Sequence, residues 1–306
     1  MKIYVDKKMM GKNSYPKLVS AFSNIEFVED LDNNLDVEAM VIMNSQLAKL
    51  DIDKFYKLKW IQLLMAGYDN IDVDSFKNKG IMVSNARDIF SISIAEDVFS
   101  KILFFNRNTA YYLESMKNKQ WIPIKKEPEI FNSTISILGT GSIGQEVAKR
   151  MKAFGVKKIL GYRQTSASVQ FFDEIHTGNS GLDYVIKEAD YLILSLPLNK
   201  STHHIINKEK ISLMKPEAVL INVARGDIID QDYLIKALKD KAIRGAGLDV
   251  TSPEPLPSDS ELWNLENVFI TPHNASSSPY MKERLYEMTV MNLELFTREQ
   301  KPKYLL

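Results

Sequence analysis

The chain has 306 residues, 45% of them hydrophobic, with 39 Lys plus Arg against 39 Asp plus Glu and no cysteine. This length and apolar content support substantial buried cores and suit two domains better than one. No charge imbalance recruits nucleic acid or an anionic membrane, and the missing cysteine excludes disulfides, thiolate zinc sites and a cysteine nucleophile. Met1-Lys-Ile-Tyr-Val-Asp6 reads as a strand with no signal-peptide pattern, and no apolar run approaches the roughly 20 residues of a membrane helix. The expectation is a cytoplasmic protein with neither nucleic acid nor membrane as partner.

From the N-terminus, short apolar runs at residues 3–5, 25–28, 39–43, 60–64 and 81–83 alternate with polar, helix-compatible segments. Such alternation predicts parallel strands joined by crossover helices in a small α/β domain. Between the last two runs lies Leu64-Met-Ala-Gly-Tyr-Asp-Asn-Ile-Asp72. A glycine there could simply close a turn, or Ala66 and Gly67 could present backbone N–H groups to an anion at a strand's carboxyl end.

Residues 94–105 carry Ala95, Val98, Phe99, Ile102 and Leu103 on one helical stripe, which predicts a helix connecting the first α/β set to the rest. Tyr111-Tyr-Leu and Trp121-Ile-Pro-Ile124 follow, unusually aromatic for a linker. They suit either core or an arm packing on a second copy, and a homodimer is the expectation.

Next comes Ser133-Thr-Ile-Ser-Ile-Leu-Gly-Thr-Gly-Ser-Ile-Gly-Gln-Glu-Val147. An apolar run at 135–138 meets Gly139, Gly141 and Gly144, and then Ile143, Val147, Ala148 and Met151 recur on one helix face. The first glycine lets the chain turn, the second lets backbone approach a pyrophosphate, and the third lets helix and strand pack closely. A second β-like run, Lys158-Ile-Leu-Gly-Tyr162, follows at the distance of a βαβ unit, so the motif reads as a dinucleotide-binding half-fold. Further strands are expected at 191–196, 218–223, 245–250 and 268–271, and an amphipathic helix at 281–296 is expected to return to the first domain.

Three of these strand ends carry chemistry: Ile221-Asn-Val-Ala-Arg-Gly-Asp227, Gly247-Leu-Asp-Val-Thr-Ser-Pro-Glu-Pro-Leu-Pro257 and Thr271-Pro-His-Asn-Ala275. Singly, Arg225 reads as a surface cation, Glu254 as a loop acid and His273 as a structural histidine. At successive strand ends beside a dinucleotide motif, they converge on one crevice.

Taken in order, Gly139-x-Gly-x-x-Gly144, Asn222-Val-Ala-Arg-Gly226, Leu248-Asp-Val with Glu254-Pro-Leu-Pro257, and Thr271-Pro-His273 resemble the D-isomer-specific 2-hydroxyacid dehydrogenases over nearly the whole length. The resemblance implies a Rossmann dinucleotide-binding domain, residues 94–276, inserted into a smaller flavodoxin-like α/β substrate domain, residues 1–93 plus 277–306. It implies Arg225, Glu254 and His273 as the catalytic trio, and Met65, Ala66 and Gly67 as backbone donors to the substrate carboxylate. Gly139, Thr140, Gly141, Ser142, Ile143, Gly144, Tyr162, Arg163, Gln164, Thr165, Pro197, Thr202, Val223, Ala224 and Asp249 would line the coenzyme, with Asp249 at the nicotinamide amide. No metal is implied.

The chemistry needs those residue types. A 2-keto acid reduced by hydride develops negative charge on its carbonyl oxygen, and an imidazolium can protonate it near neutral pH. A carboxylate beside the ring orients it and favours its charged form, while a guanidinium fork grips carboxylate and carbonyl together. Arg163, in Gly161-Tyr-Arg-Gln-Thr-Ser166, stands where NAD enzymes carry an acid for the ribose hydroxyls. Arginine suits a 2′-phosphate instead, so NADP is expected over NAD.

Within the family, Glu254 argues against the formate enzymes, which pair their histidine with glutamine, and no residues beyond Leu306 form the regulatory domain of the long phosphoglycerate enzymes. The arginine-type coenzyme loop is similar to that of glyoxylate and hydroxypyruvate reductases, so a small 2-keto or 2-hydroxy acid is the expected partner. The competing expectation is an NAD(P)-sensing, corepressor-like binding protein without turnover.

Overall fold

The computed structural model describes residues 1–306. The chain divides into two compact units, Met1–Phe90 with Ser278–Leu306, and Ser91–Ser277. No helix is long and apolar enough to cross a membrane.

The first unit holds β1 (Lys2–Val5), β2 (Glu26–Val28), β3 (Ala39–Ile42), β4 (Trp60–Leu63) and β5 (Met82–Ser84). These form one parallel sheet in the order β2-β1-β3-β4-β5, the flavodoxin-like order. Every residue of β3 and β4 is buried, as expected of central strands covered on both faces. The helix Met281–Thr297 lies against this sheet: the Phe296 ring sits 5.1 Å from that of Trp60, and Asn292 Nδ2 donates to the buried Gln62 Oε1 at 2.7 Å. The chain then runs back beside β5, where Leu306 N–H donates to Val83 O at 2.9 Å. That pairing covers a sheet edge that would otherwise present free backbone groups.

The second unit holds β6 (Thr134–Leu138), β7 (Lys158–Tyr162), β8 (Glu174–His176), β9 (Tyr191–Leu194), β10 (Val219–Asn222), β11 (Gly245–Leu248) and β12 (Val268–Ile270). They form a parallel sheet in the order β12-β11-β10-β9-β6-β7-β8. Counted from β6, this is the doubly wound dinucleotide-binding order extended by one strand, and its direction reverses between β6 and β9. The fold is therefore α/β throughout, with a Rossmann sheet in the second unit.

The helix expected to connect the two sets spans Ser91–Asn106 and is part of the second unit, packed on β10 and β11. Two glycines of β11 make that packing possible. A Cβ at Gly245 would stand 2.7 Å from Phe105 Cε1, and one at Gly247 would stand 2.9 Å from Lys101 Cβ. Arg244 Nη2 closes the helix end by donating to Phe105 O at 2.6 Å.

Candidate active site

Strands β10, β11 and β12 run side by side in parallel register, with Asn222 opposite Leu248 and Leu248 opposite Ile270. Their carboxyl ends therefore stop at one level, and the residues that follow emerge together where open α/β sheets bind ligands. Arg225 follows β10, Asp249 and Glu254 follow β11, and His273 follows β12.

His273 Nδ1 stands 2.7 Å from Glu254 Oε2. The other carboxylate oxygen accepts the Thr251 N–H at 3.2 Å, so Glu254 is held from its own loop. Both side chains are partly exposed, at 47% for His273 and 37% for Glu254, as a pair that meets a ligand must be. With Nδ1 committed to the carboxylate, Nε2 is the nitrogen left for proton exchange.

Arg225 is set by a neighbour that sequence reasoning passed over. Asn222 is fully buried; its Nδ2 donates to Arg225 O at 2.9 Å, and its Oδ1 accepts the Ala224 N–H at 3.0 Å. One side chain thus closes the turn through Val223 and Ala224, which are themselves buried. Arg225 Nη1 donates to Ala224 O at 2.6 Å. The next residue must be glycine, because a Cβ at Gly226 would lie 2.1 Å from Thr251 O. The Arg225 turn therefore presses on the same Thr251 whose N–H anchors Glu254, and His273 joins the two through its bond to Glu254.

Asp249 is almost fully buried and braces the histidine turn. Its carboxylate accepts Thr271 Oγ1 at 2.7 Å and the N–H groups of Asn274 and Ala275 at 3.0 and 3.1 Å, while its carbonyl accepts the His273 N–H at 2.8 Å. His273 itself has φ of 51°, a left-handed conformation uncommon outside glycine.

The turn after β6 has the shape a pyrophosphate needs. Gly139 has φ of +102°, and a Cβ there would meet Ser195 O at 2.6 Å; a Cβ at Gly144 would lie 2.1 Å from Gly139 O. Over Gly141, by contrast, a Cβ would meet nothing within 4 Å. The helix Ser142–Ala153 starts here, and its first backbone bond runs from Gln145 N–H to Gly141 O at 2.9 Å. The N–H groups of Ser142, Ile143 and Gly144 are left at the positive end of the helix, the arrangement that binds phosphate. Thr140 is buried in the turn, and Ser195 Oγ, also unforeseen, braces it by donating to Gly139 O at 2.8 Å.

At the end of β7, Tyr162 packs on the core, and Arg163 N–H donates to His176 O at 3.1 Å. Gln164 and Thr165 beyond it are exposed, and Gln164 Nε2 donates to Ser201 Oγ at 3.3 Å. Thr202 has its hydroxyl committed to its own loop, donating to Pro197 O at 2.7 Å and accepting Asn199 N–H at 2.8 Å.

In the first unit, Met65, Ala66 and Gly67 follow β4 and are half-buried. Their carbonyls are tied back: Met65 O accepts Ala86 N–H at 3.1 Å, Ala66 O accepts Asn85 Nδ2 at 2.6 Å, and Gly67 O accepts Asn44 Nδ2 at 2.8 Å. The Ala66 and Gly67 N–H groups have no protein acceptor. Asn44 and Asn85 were not foreseen; their only signal is an amide within two residues of the end of an apolar run.

The family model described as D-isomer specific 2-hydroxyacid dehydrogenase, NAD binding domain, matches residues 99–275. The chain is also 37% identical over 287 residues to the glyoxylate reductase of Pyrococcus furiosus, a match covering 90% of this chain and 84% of that one. The chain belongs to the D-isomer-specific 2-hydroxyacid dehydrogenase family. Among solved structures, this dehydrogenase is similar to an acyclic imino acid reductase in complex with NADPH and D-Arg, with a TM-score of 0.84, 28% identity and 100% of each chain covered. It is likewise similar to the D-lactate dehydrogenase of Aquifex aeolicus complexed with NAD and lactic acid, with a TM-score of 0.78, 28% identity and 98% and 96% of the two chains covered. The protein is an NAD(P)-dependent dehydrogenase.

The buried bracing of the Arg225 turn yields a stability prediction. Asn222→Ala leaves a buried carbonyl and N–H without partners and should lower the unfolding free energy by about 1–3 kcal/mol in urea denaturation. A change below about 0.5 kcal/mol would mean the turn holds without the amide.

Proposed function

We propose that this dehydrogenase reduces a small 2-keto acid of the glyoxylate or hydroxypyruvate kind to the D-2-hydroxy acid, in the cytoplasm and with NADPH preferred over NADH. The observation that carries the reading is the His273–Glu254 pair, 2.7 Å apart, anchored on the backbone that the Arg225 turn also presses on. In this reading Ser91–Ser277 is the dinucleotide domain, and Met1–Phe90 with Ser278–Leu306 is the substrate domain.

The coenzyme is held by the turn Gly139, Thr140 and Gly141 and by the helix-end N–H groups of Ser142, Ile143 and Gly144. Tyr162, Arg163, Gln164, Thr165, Pro197 and Thr202 surround its adenosine side, with Val223, Ala224 and Asp249 towards the nicotinamide. When bound, its reduced nicotinamide supplies the hydride to the keto carbon. As charge develops on the carbonyl oxygen, His273 Nε2 delivers a proton to it. Glu254 fixes the orientation and tautomer of the ring through Nδ1. Arg225 offers a planar fork to the carboxylate and the carbonyl oxygen. The free N–H groups of Ala66 and Gly67, with Met65 beside them, hold the carboxylate.

Four exposed apolar side chains support a homodimer: Leu113 at 52%, Met116 at 74%, Trp121 at 98% and Ile122 at 53% exposure. A second copy is the partner that would cover them.

His273→Ala should lower kcat by about 10²–10⁴-fold with little change in NADPH affinity. Arg225→Ala should raise KM for the keto acid as well. Full activity in either variant contradicts the assignment. Arg163→Asp should reduce kcat/KM with NADPH by about tenfold or more, the scale of one lost charge-assisted bond, and favour NADH. Equal use of both coenzymes by the wild type would contradict the preference. Sedimentation at micromolar concentration should give the mass of two chains, and a single-chain mass would remove the dimer.

A further inference from the structure

The helix Ser91–Asn106 carries a lysine, Lys101, with 0% of its surface exposed. A buried ammonium is costly unless its protons are bonded. Lys101 Nζ donates to Asp97 Oδ2 at 2.5 Å and to Thr271 Oγ1 at 2.8 Å, and it stands 5.6 Å from the centre of the Phe269 ring. Asp97 lies one turn earlier on the helix; burial pushes its carboxyl up, and the lysine beside it works against that rise. The sheet is shaped for this side chain, because Gly247 leaves open the space that Lys101 Cβ and Cδ occupy.

Hydrogen-bond direction follows from the donor inventory. An ammonium only donates, so Thr271 Oγ1 accepts from Lys101, and its single proton is directed to Asp249 Oδ1 at 2.7 Å. Asp249, acting as acceptor, takes the N–H groups of Asn274 and Ala275 at 3.0 and 3.1 Å. These amides directly follow His273, whose backbone sits at φ of 51°. A line of bonds thus runs from the buried face of the helix to the backbone that aims the imidazole. An apolar side chain at position 101 would fill the same space and direct nothing.

We propose that Lys101 and Thr271 are positioning residues for His273: the buried ammonium sets the direction of the Thr271 hydroxyl, keeps Asp249 an acceptor, and so locks the 273–275 turn that presents the imidazole to Glu254. The kinetic consequence rests on the reading of His273 as proton donor; the bracing of the turn does not.

Thr271→Val keeps the shape and the Asp97–Lys101 pair but removes the hydroxyl, and Thr271→Ser keeps the hydroxyl. In Thr271→Val, amide hydrogen exchange at Asn274 and Ala275 should accelerate by about five- to tenfold, the scale of one hydrogen bond, while strands β6, β9 and β10 keep their protection. Its kcat, normalised to coenzyme-binding sites, should fall about tenfold or more with KM for the keto acid within about threefold. Thr271→Ser should remain within about threefold of wild type in both. Asp97→Asn/Lys101→Met, which removes both charges, should reproduce the Thr271→Val result, and combining it with Thr271→Val should give no further fall in kcat.

Wild-type exchange at 274–275 in Thr271→Val overturns the inference and leaves the reading of function standing. Losses in Thr271→Ser as large as in Thr271→Val also overturn it. A wild type that reduces no keto acid overturns the reading of function, while exchange still decides whether the turn is braced from Lys101.

Discussion

The parallel register of β10, β11 and β12 is the constraint on which the site depends. Asn222, Leu248 and Ile270 stand opposite one another, so three separate loops leave the sheet at one level. Slipping one strand by a single residue would turn its buried side chains to the other face, so the core holds the register. The placement of the site residues inherits this precision from the sheet. Arg225, Glu254 and His273 come from three separate loops, yet Thr251 touches the turn of the first and anchors the carboxylate of the second.

Around that register the chain uses closeness of backbone rather than bulk. Gly139, Gly144 and Gly226 each stand where an added Cβ would fall within 3 Å of a carbonyl oxygen. Those approaches form the tight turn after β6 and bring the Arg225 loop against the Glu254 loop. Polar side chains then fix what the backbone cannot: Asn222 closes the Arg225 turn, Ser195 braces Gly139, and Asp249 braces His273. Each is buried or half-buried with its bonds satisfied, which makes a polar group a source of geometry rather than a cost.

Much of this was legible because the relevant signals are local. Apolar runs marked most of the strands, the three-glycine spacing marked the tight turn after β6, and Arg225, Glu254 and His273 each stand a few residues past an apolar run. What stayed hidden depends on partners distant in sequence. Glu174–His176 forms a strand although all three residues are only half-buried, because its pairing with β7 and not its own hydrophobicity defines it. The Ser91–Asn106 helix reads as a connector because it lies between the two α/β sets in sequence; its place on β11 is set by Gly245 and Gly247, some 140 residues later. Lys101 falls off the apolar stripe of that helix, and its place in the fold depends on Asp97 and Thr271 beside it. Asn44 and Asn85 likewise acquire a role only when the loop they hold is folded against them.

In the proposed reaction hydride reaches the keto carbon while His273 supplies the proton to oxygen. The direct measurement is the product formed from hydroxypyruvate and reduced coenzyme carrying deuterium at the transferable position. The expected product is a D-2-hydroxy acid with one deuterium at C2 and none elsewhere. An unlabelled product, or the L acid, would contradict that reaction.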